Sequence, residues 1–353
     1  MGLFFSKAAP ENPRRDSPAP ASDCRSRIMV KTDDFFEHEI KAIILGPGDS
    51  GKTTYWRQLR NLYANGLTED EKVALIPLLR ISIIEDMKRM VAFANESSIY
   101  LPEQIRNEIS YLESIDAAID DIVPEIADAI SKLWECPVIQ KVYEQASFLC
   151  SSDHSSFFLD KVKEIFANDY YPSPEDIIKS RIRTTGINEL RFLINDKKVI
   201  LADIGGQKCE RNKWKVLQGI NVVIFVVSLS DFNQMLFEEK SEGRTEDSIQ
   251  LFEATIKSKG FSNLPLFLVF NKVDEFRKKF CKYPDSFRKA YPMYQGEMSD
   301  PDAAIQYIIS TYKSRIPTDR PENAHLYTYV TCAVDMEEMR STFEELALKM
   351  ISI

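Results

Sequence analysis

The octapeptide Gly46-Pro-Gly-Asp-Ser-Gly-Lys-Thr53, entered directly from the apolar run Ile40–Leu45, leaves few folds open to this chain. It satisfies G-x-x-x-x-G-K-S/T, and Thr54–Tyr63 behind it has the composition of a helix. Strand, glycine-rich loop and helix in that order make a phosphate cradle. Small residues let successive backbone N–H groups converge on phosphate oxygens, and the helix N-terminus adds partial positive charge. Lys52 is placed to reach the outer phosphates, and Thr53 to offer its hydroxyl to Mg²⁺. Gly46, Asp49, Ser50, Gly51, Lys52, Thr53 and Thr54 are thus the expected contacts of a nucleoside triphosphate. The loop alone names neither the base nor the phosphoryl acceptor.

Further continuous apolar runs at 198–203, 221–230, 264–270 and 326–332 read as strands buried on both faces, the habit of a parallel sheet. Helical patterns separate several of them, as at 246–260. The alternation predicts a doubly wound α/β fold. The interval 62–178 breaks that rhythm. Thr68 and Glu71 frame a capping box, and Val73, Ile76, Leu79, Ile83, Met87, Met90, Val91 and Ala94 follow at helical spacing, with Pro77 placed to kink the helix. Helical patterns recur at 102–122, 124–136 and 156–168, and no strand run appears. A structureless loop of that length does not suit a compact domain, so 63–178 is expected to be an inserted all-helical domain. The α/β domain then comprises 38–62 and 179–353. Residues 7–25 carry four prolines, and 1–37 reads as a flexible arm with room for at most a short helix.

The net charge of -9 argues against a nucleic-acid partner. No apolar run is long enough to cross a bilayer, and the start of the chain lacks a secretory pattern. The six cysteines, scattered without a CxxC pair, read as reduced thiols of a cytosolic protein.

Asn271-Lys272-Val-Asp274 closes the run 264–270, at the strand end where open α/β sheets bind ligands. A carboxylate at Asp274 accepts two hydrogen bonds from guanine N1–H and the exocyclic amine; adenine offers no such donor pair. Thr331-Cys-Ala333 follows the last strand and places the Ala333 amide for the guanine O6. Asp203 ends another strand and suits the acid that holds Mg²⁺ through water. Behind it, Gly205 and Gly206 let the backbone approach a γ-phosphate, and Gln207 is placed to orient an attacking water.

The order GxxxxGKT, R-x-x-T-T-G, D-x-G-G-Q, NKxD, TCA resembles the α subunits of heterotrimeric G proteins, over nearly the whole chain after residue 38. The helical insertion and the segment 176–187 set it apart from small Ras-like GTPases. The resemblance implies a Ras-like GTPase domain, with a mostly parallel six-stranded sheet and helices on both faces, interrupted by a helical domain that covers the nucleotide. Segments 176–187 and 203–214 are similar to the family's two switches, and 152–165 to the helical-domain segment beside the nucleotide. By that similarity Arg181 is a catalytic arginine supplied in cis, working with Gln207; Thr184 is a Mg²⁺ ligand in the GTP state; and Ile178, Lys179 and Asp153 join the nucleotide contacts. A P-loop kinase is the first rival, disfavoured by NKVD and the switch pair. A non-hydrolysing GTP-binding scaffold is the second, disfavoured by Arg181 and Gln207.

The implied partners are GTP or GDP with Mg²⁺, a βγ dimer, a receptor or other exchange factor, effectors, and proteins with a regulator-of-G-protein-signalling domain. Met1–Ser6 fits the M-G-x-x-x-S/T pattern for myristoylation of Gly2, which predicts peripheral attachment to the cytoplasmic face of the plasma membrane, with a cytosolic pool. Three departures stand out. Asp49 replaces the family's usual Glu, a shorter acid expected to weaken an ion pair with Arg181 in the GDP state. Lys208-Cys209 replaces Arg-Ser, and position 3 is Leu where a palmitoylated Cys is frequent. The sequence stops at Ile353, short of the family's receptor-contacting tail, so receptor-driven exchange is expected to be weak.

Overall fold

The apolar runs assemble into one sheet. The computed structural model describes residues 28–29, 39–116, 125–146, 153–181, 186–211, 214, 219–235, 243–322 and 324–353. Its strands are β1 (Ile28–Met29), β2 (Glu39–Leu45), β3 (Ile187–Ile194), β4 (Lys197–Ile204), β5 (Val222–Ser228), β6 (Leu266–Asn271) and β7 (Leu326–Val330). Their spatial order is β1-β3-β4-β2-β5-β6-β7. β2, β4, β5, β6 and β7 run parallel, while β3 pairs antiparallel with β4. Six strands form the expected mostly parallel sheet. The two-residue β1 pairs antiparallel with Leu193 and Ile194 at its edge.

β3 is the strand that a search for continuous apolar runs does not find. Leu190, Phe192 and Ile194 point into one core while Glu189 and Arg191 face away. Alternation is what an antiparallel strand with one polar face shows. The chain leaves β2, returns as β3 and β4 on one side, then continues as β5 to β7 on the other. That reversal puts a crevice at the C-terminal end of β2, where such sheets bind ligands.

The helices, in chain order, are α1 (Lys52–Tyr63), α2 (Glu69–Glu96), α3 (Arg106–Ser114), α4 (Glu125–Glu135), α5 (Pro137–Ala146), α6 (Ser155–Asp160), α7 (Val162–Ile165), α8 (Pro174–Lys179), α9 (Arg244–Lys257), α10 (Val273–Lys282), α11 (Pro284–Ala290), α12 (Pro301–Lys313) and α13 (Met336–Ser352). α1 and α13 cover one face of the sheet through Tyr55, Leu59, Phe343 and Leu346. α9, α10 and α12 cover the other through Phe252, Phe276 and Ile308. Among the described residues between α1 and β3 there is no strand. α2 to α7 bury a third core of their own there, centred on Ile83, Met87, Ile130 and Phe158. The expected capping box forms: the Glu71 amide donates to Thr68 Oγ1 (3.3 Å), and the Thr68 amide donates to Glu71 Oε2 (2.7 Å). α2 runs through Pro77 without a break. The carbonyl that Pro77 deprives of its partner belongs to Val73, which is 54% exposed, so water can meet it.

Phe343 joins α13 to α1 and β3, its ring centroid 5.5 Å from Tyr63 and 5.7 Å from Phe192. It is fully buried. Phe343→Ala should cost about 3–5 kcal/mol in denaturant unfolding. A loss below about 1 kcal/mol, the ordinary size of a surface effect, would show that this seam is not part of the core.

Candidate functional site

Every loop that the sequence marks leaves the same edge of the sheet. β2 leads into the phosphate loop, β4 into Gly205 to Gln207, β6 into Lys272 to Asp274, and β7 into Thr331 to Ala333. Gly51, at φ 92°, begins α1 without a capping side chain, and α1 has no acidic residue in its first turn. α2, α9 and α13 each carry acids there. The first-turn N–H groups of α1, with Thr53 and Thr54, therefore meet no anion of their own turn, which suits a bound phosphate. A Cβ at Gly51 would collide with the Asn271 amide, and one at Gly206 with the Gly46 carbonyl and the Lys52 ammonium. The backbones close on one another where a side chain would block a phosphate.

Lys52 is buried, and its Nζ donates to the Pro47 carbonyl at 2.5 Å. Burial pushes its pKa down to about 8, against the pull of the Asp203 and Asp49 carboxylates. The Thr53 hydroxyl donates to Asp203 Oδ2 at 3.0 Å. Hydroxyl and carboxylate are hard oxygen donors. Among the described residues no group of three or more His, Cys, Asp or Glu forms a metal cage. That donor set fits a Mg²⁺ that takes most of its ligands from phosphate oxygens and water.

Arg181 reaches the phosphate loop from the other side. Its Nε lies 2.6 Å from Asp49 Oδ1, and its Nη2 donates to Asp49 Oδ2 at 2.7 Å. The pair is a two-point one. Arg57 holds the linker that carries Arg181. From α1 its Nη1 donates to the carbonyls of Ile177 (3.0 Å) and Ser180 (2.9 Å) and to the Ser180 hydroxyl (3.0 Å). The linker is thereby pinned against the helix that follows the phosphate loop. Arg244 adds a second cation, with Nη2 2.9 Å from Asp49 Oδ2. Burial would raise the Asp49 pKa; Arg181 and then Arg244 outweigh it and hold the carboxyl below its ordinary 3.8.

On the base side, Asn271 Nδ2 donates to the Ser50 carbonyl (3.1 Å), and its Oδ1 accepts from the Ala333 amide (2.9 Å) and the Thr331 hydroxyl (3.3 Å). The amide expected at the guanine O6 is thus engaged by Asn271 here. Asp153, delivered by the helical segment, accepts from Lys272 (2.7 Å), Lys279 (2.8 Å) and Gln234 (3.0 Å). Burial alone would raise its pKa, but the two ammonium charges hold it well below 3.8. Asp274 stands beside the Cys332 thiol, which burial and then this carboxylate push up to about 12.

The remaining predicted residues sort as follows. Gln207 lies against Gly48, and its buried Oε1 has no hydrogen-bond partner among the described residues. Ile178 is buried, and the Lys179 ammonium pairs with Glu175 (2.6 Å) and sits over the Phe157 ring. Thr184 and Gly2 lie outside the described residues. Reading motifs did not find Arg57, Lys279 or Arg244. It also passed over Arg211, which pairs with Asp247 (2.8 and 2.6 Å) and donates to the Gly206 carbonyl (3.1 Å). Each is a single cation with no motif of its own.

The protein-family model described as "G-protein alpha subunit" matches residues 21–351. A guanine nucleotide-binding protein subunit alpha of Emericella nidulans is 30% identical over 345 residues, covering 96% of this chain and 94% of the relative. A guanine nucleotide-binding protein subunit alpha-1 of Trichomonas vaginalis is 32% identical over 304 residues, covering 83% and 74%. A guanine nucleotide-binding protein alpha-1 subunit of Neurospora crassa is 28% identical over 344 residues, covering 96% and 94%.

A phosphate beside Lys52 stabilises its charged form, so nucleotide binding should take up a proton once the pH passes about 8. Affinity for GDP then holds below that value and falls above it, by up to about tenfold per pH unit. Titrations of GDP binding on both sides of that pH check it. A flat or rising affinity on the alkaline side would mean that the buried lysine is not depressed.

Proposed function

The chain belongs to the G-protein α-subunit family, and from that premise we propose which of its residues bind, hydrolyse and report the nucleotide. It is a guanine-nucleotide-binding switch, the α subunit of a heterotrimeric G protein, with GTP hydrolysis as its timer. Lys52 and the N–H groups from Asp49 to Thr54 take the phosphates. Asp274 accepts from guanine, framed by Asn271, Lys272 and Ala333. Ile178, Lys179 and Asp153 close the site from the helical side.

Hydrolysis is an in-line attack of water on the γ-phosphorus. Gln207 orients the water; Arg181 and Lys52 balance the negative charge that develops on the transferring group. An arginine in this role is worth about 10³–10⁵-fold as a general value for the class. The hydroxyls of Thr53 and Thr184 and, through water, Asp203 would hold a Mg²⁺, which would supply further positive charge at the phosphate oxygens. Loss of the γ-phosphate releases Thr184 and Gly206, and the segments 176–187 and 203–214 relax. What carries the reading is Arg181 held 2.6 Å from the phosphate loop's own Asp49. An arginine supplied from within the chain needs no partner to bring one.

As for the family, the switch works with a βγ dimer, receptors and effectors. An exchange factor other than a receptor and a regulator-of-G-protein-signalling domain are further partners. We place the protein at the cytoplasmic face of the plasma membrane through a myristoyl chain on Gly2, with a cytosolic pool. One such chain binds membranes reversibly, so βγ or a second lipid completes the attachment.

Gln207→Leu and Arg181→Cys should each keep GTP binding and slow single-turnover hydrolysis by about 10²-fold or more. If both variants hydrolyse at the parental rate, the cis-arginine mechanism is wrong. Gly2→Ala should move the protein to the soluble fraction of expressing cells; a variant as membrane-bound as the parent would remove the lipid assignment.

A further inference from the structure

We propose that Arg244 is a positioning residue for hydrolysis: it takes over the Asp49 carboxylate when Arg181 leaves it for the transferring phosphoryl group. The inference rests on the reading of Arg181 as the charge-stabilising arginine. Asp49 Oδ2 is shared, 2.7 Å from Arg181 Nη2 and 2.9 Å from Arg244 Nη2. The two arginines are held differently. Arg244 opens α9, is 6% exposed, and its Nε donates to the Met235 carbonyl at 3.1 Å. Arg181 sits on the linker between α8 and β3, and its side chain is 24% exposed. It is the less enclosed of the two.

Arg181 cannot serve the phosphate and Asp49 in full at once. On its departure the carboxylate would stand beside a polyphosphate, and a partly buried anion without a counter-charge is strongly disfavoured. Arg244 supplies that counter-charge without touching the reacting atoms. It therefore sets how readily Arg181 is released. Without it, Asp49 has Arg181 as its remaining ion-pair partner among the described residues, and the pair tightens across the mouth of the site.

The test compares the parent with Arg244→Gln, Asp49→Asn, the double variant and Arg181→Ala. Single-turnover GTP hydrolysis and GDP release are both measured, and thermal unfolding with GDP shows that each protein is folded. Arg244→Gln should hydrolyse GTP about fivefold more slowly, and release GDP more slowly rather than faster. In the Asp49→Asn background the Arg244→Gln change should have no further effect on hydrolysis, because there is no carboxylate to take over. Arg244→Lys should recover most of the parental rate, and it carries the same cycle should Arg244→Gln not fold. The inference is overturned by an unchanged rate in Arg244→Gln. Accelerated GDP release, or a slowdown that persists when Asp49 is Asn, would mark Arg244 as mere support for α9 and overturn it equally. Arg181→Ala hydrolysing at the parental rate would bring down the catalytic reading and this inference with it. A slow Arg181→Ala beside an Arg244 effect that ignores Asp49 removes the inference alone.

Discussion

One buried amide holds the nucleotide end of this protein together. Asn271 spends its nitrogen on the Ser50 carbonyl and its oxygen on the Ala333 amide and the Thr331 hydroxyl. Three loops, from β2, β6 and β7, thereby share one side chain. Asn carries donor and acceptor side by side on one short planar amide, and the closeness of Gly51 leaves no room for a longer side chain. The sheet delivers the loops to the same edge; Asn271 fixes their spacing. Every later feature, from the phosphate cradle to the base-side acid, inherits that spacing.

The helical segment is joined to this frame by two carboxylates used reciprocally. Asp153 comes from the helical side and accepts lysines of the α/β side; Asp49 belongs to the phosphate loop and accepts Arg181 from the end of the linker. Burial works against ionisation at both, and paired cations overcome it. Buried ion pairs recover little more than the cost of desolvating them. They fix a single closed arrangement while adding little to its stability, so closure is specific and opening is inexpensive. That balance suits an enzyme that must exchange its nucleotide as well as retain it.

Much of this was legible in the sequence wherever backbone geometry restricts residue type. The phosphate loop needs Gly51, and the turn after β4 needs Gly206, because neighbouring atoms occupy the places of their Cβ atoms, so both motifs are visible as letters. Continuous apolar runs gave the parallel strands, and Thr68 with Glu71 gave the start of α2. β3 was not legible by that route because its apolar residues alternate. Arg57, Lys279 and Arg244 were hidden for a different reason. Each is one cation whose partner lies far away in sequence, and nothing in their spacing announces the contact.

The position of the helical insert also orders events during synthesis. β2 pairs only with β4 and β5: Ala42 lies opposite Leu201 on one side and Val222 on the other. The central strand emerges from the ribosome long before either neighbour exists. At about 5–20 residues per second the wait is on the order of ten seconds. α2 to α7 bury their apolar residues against one another within that interval and can complete a core with local contacts. The insert is therefore also a folded passenger, closing the loop between β2 and β4 before the sheet has formed.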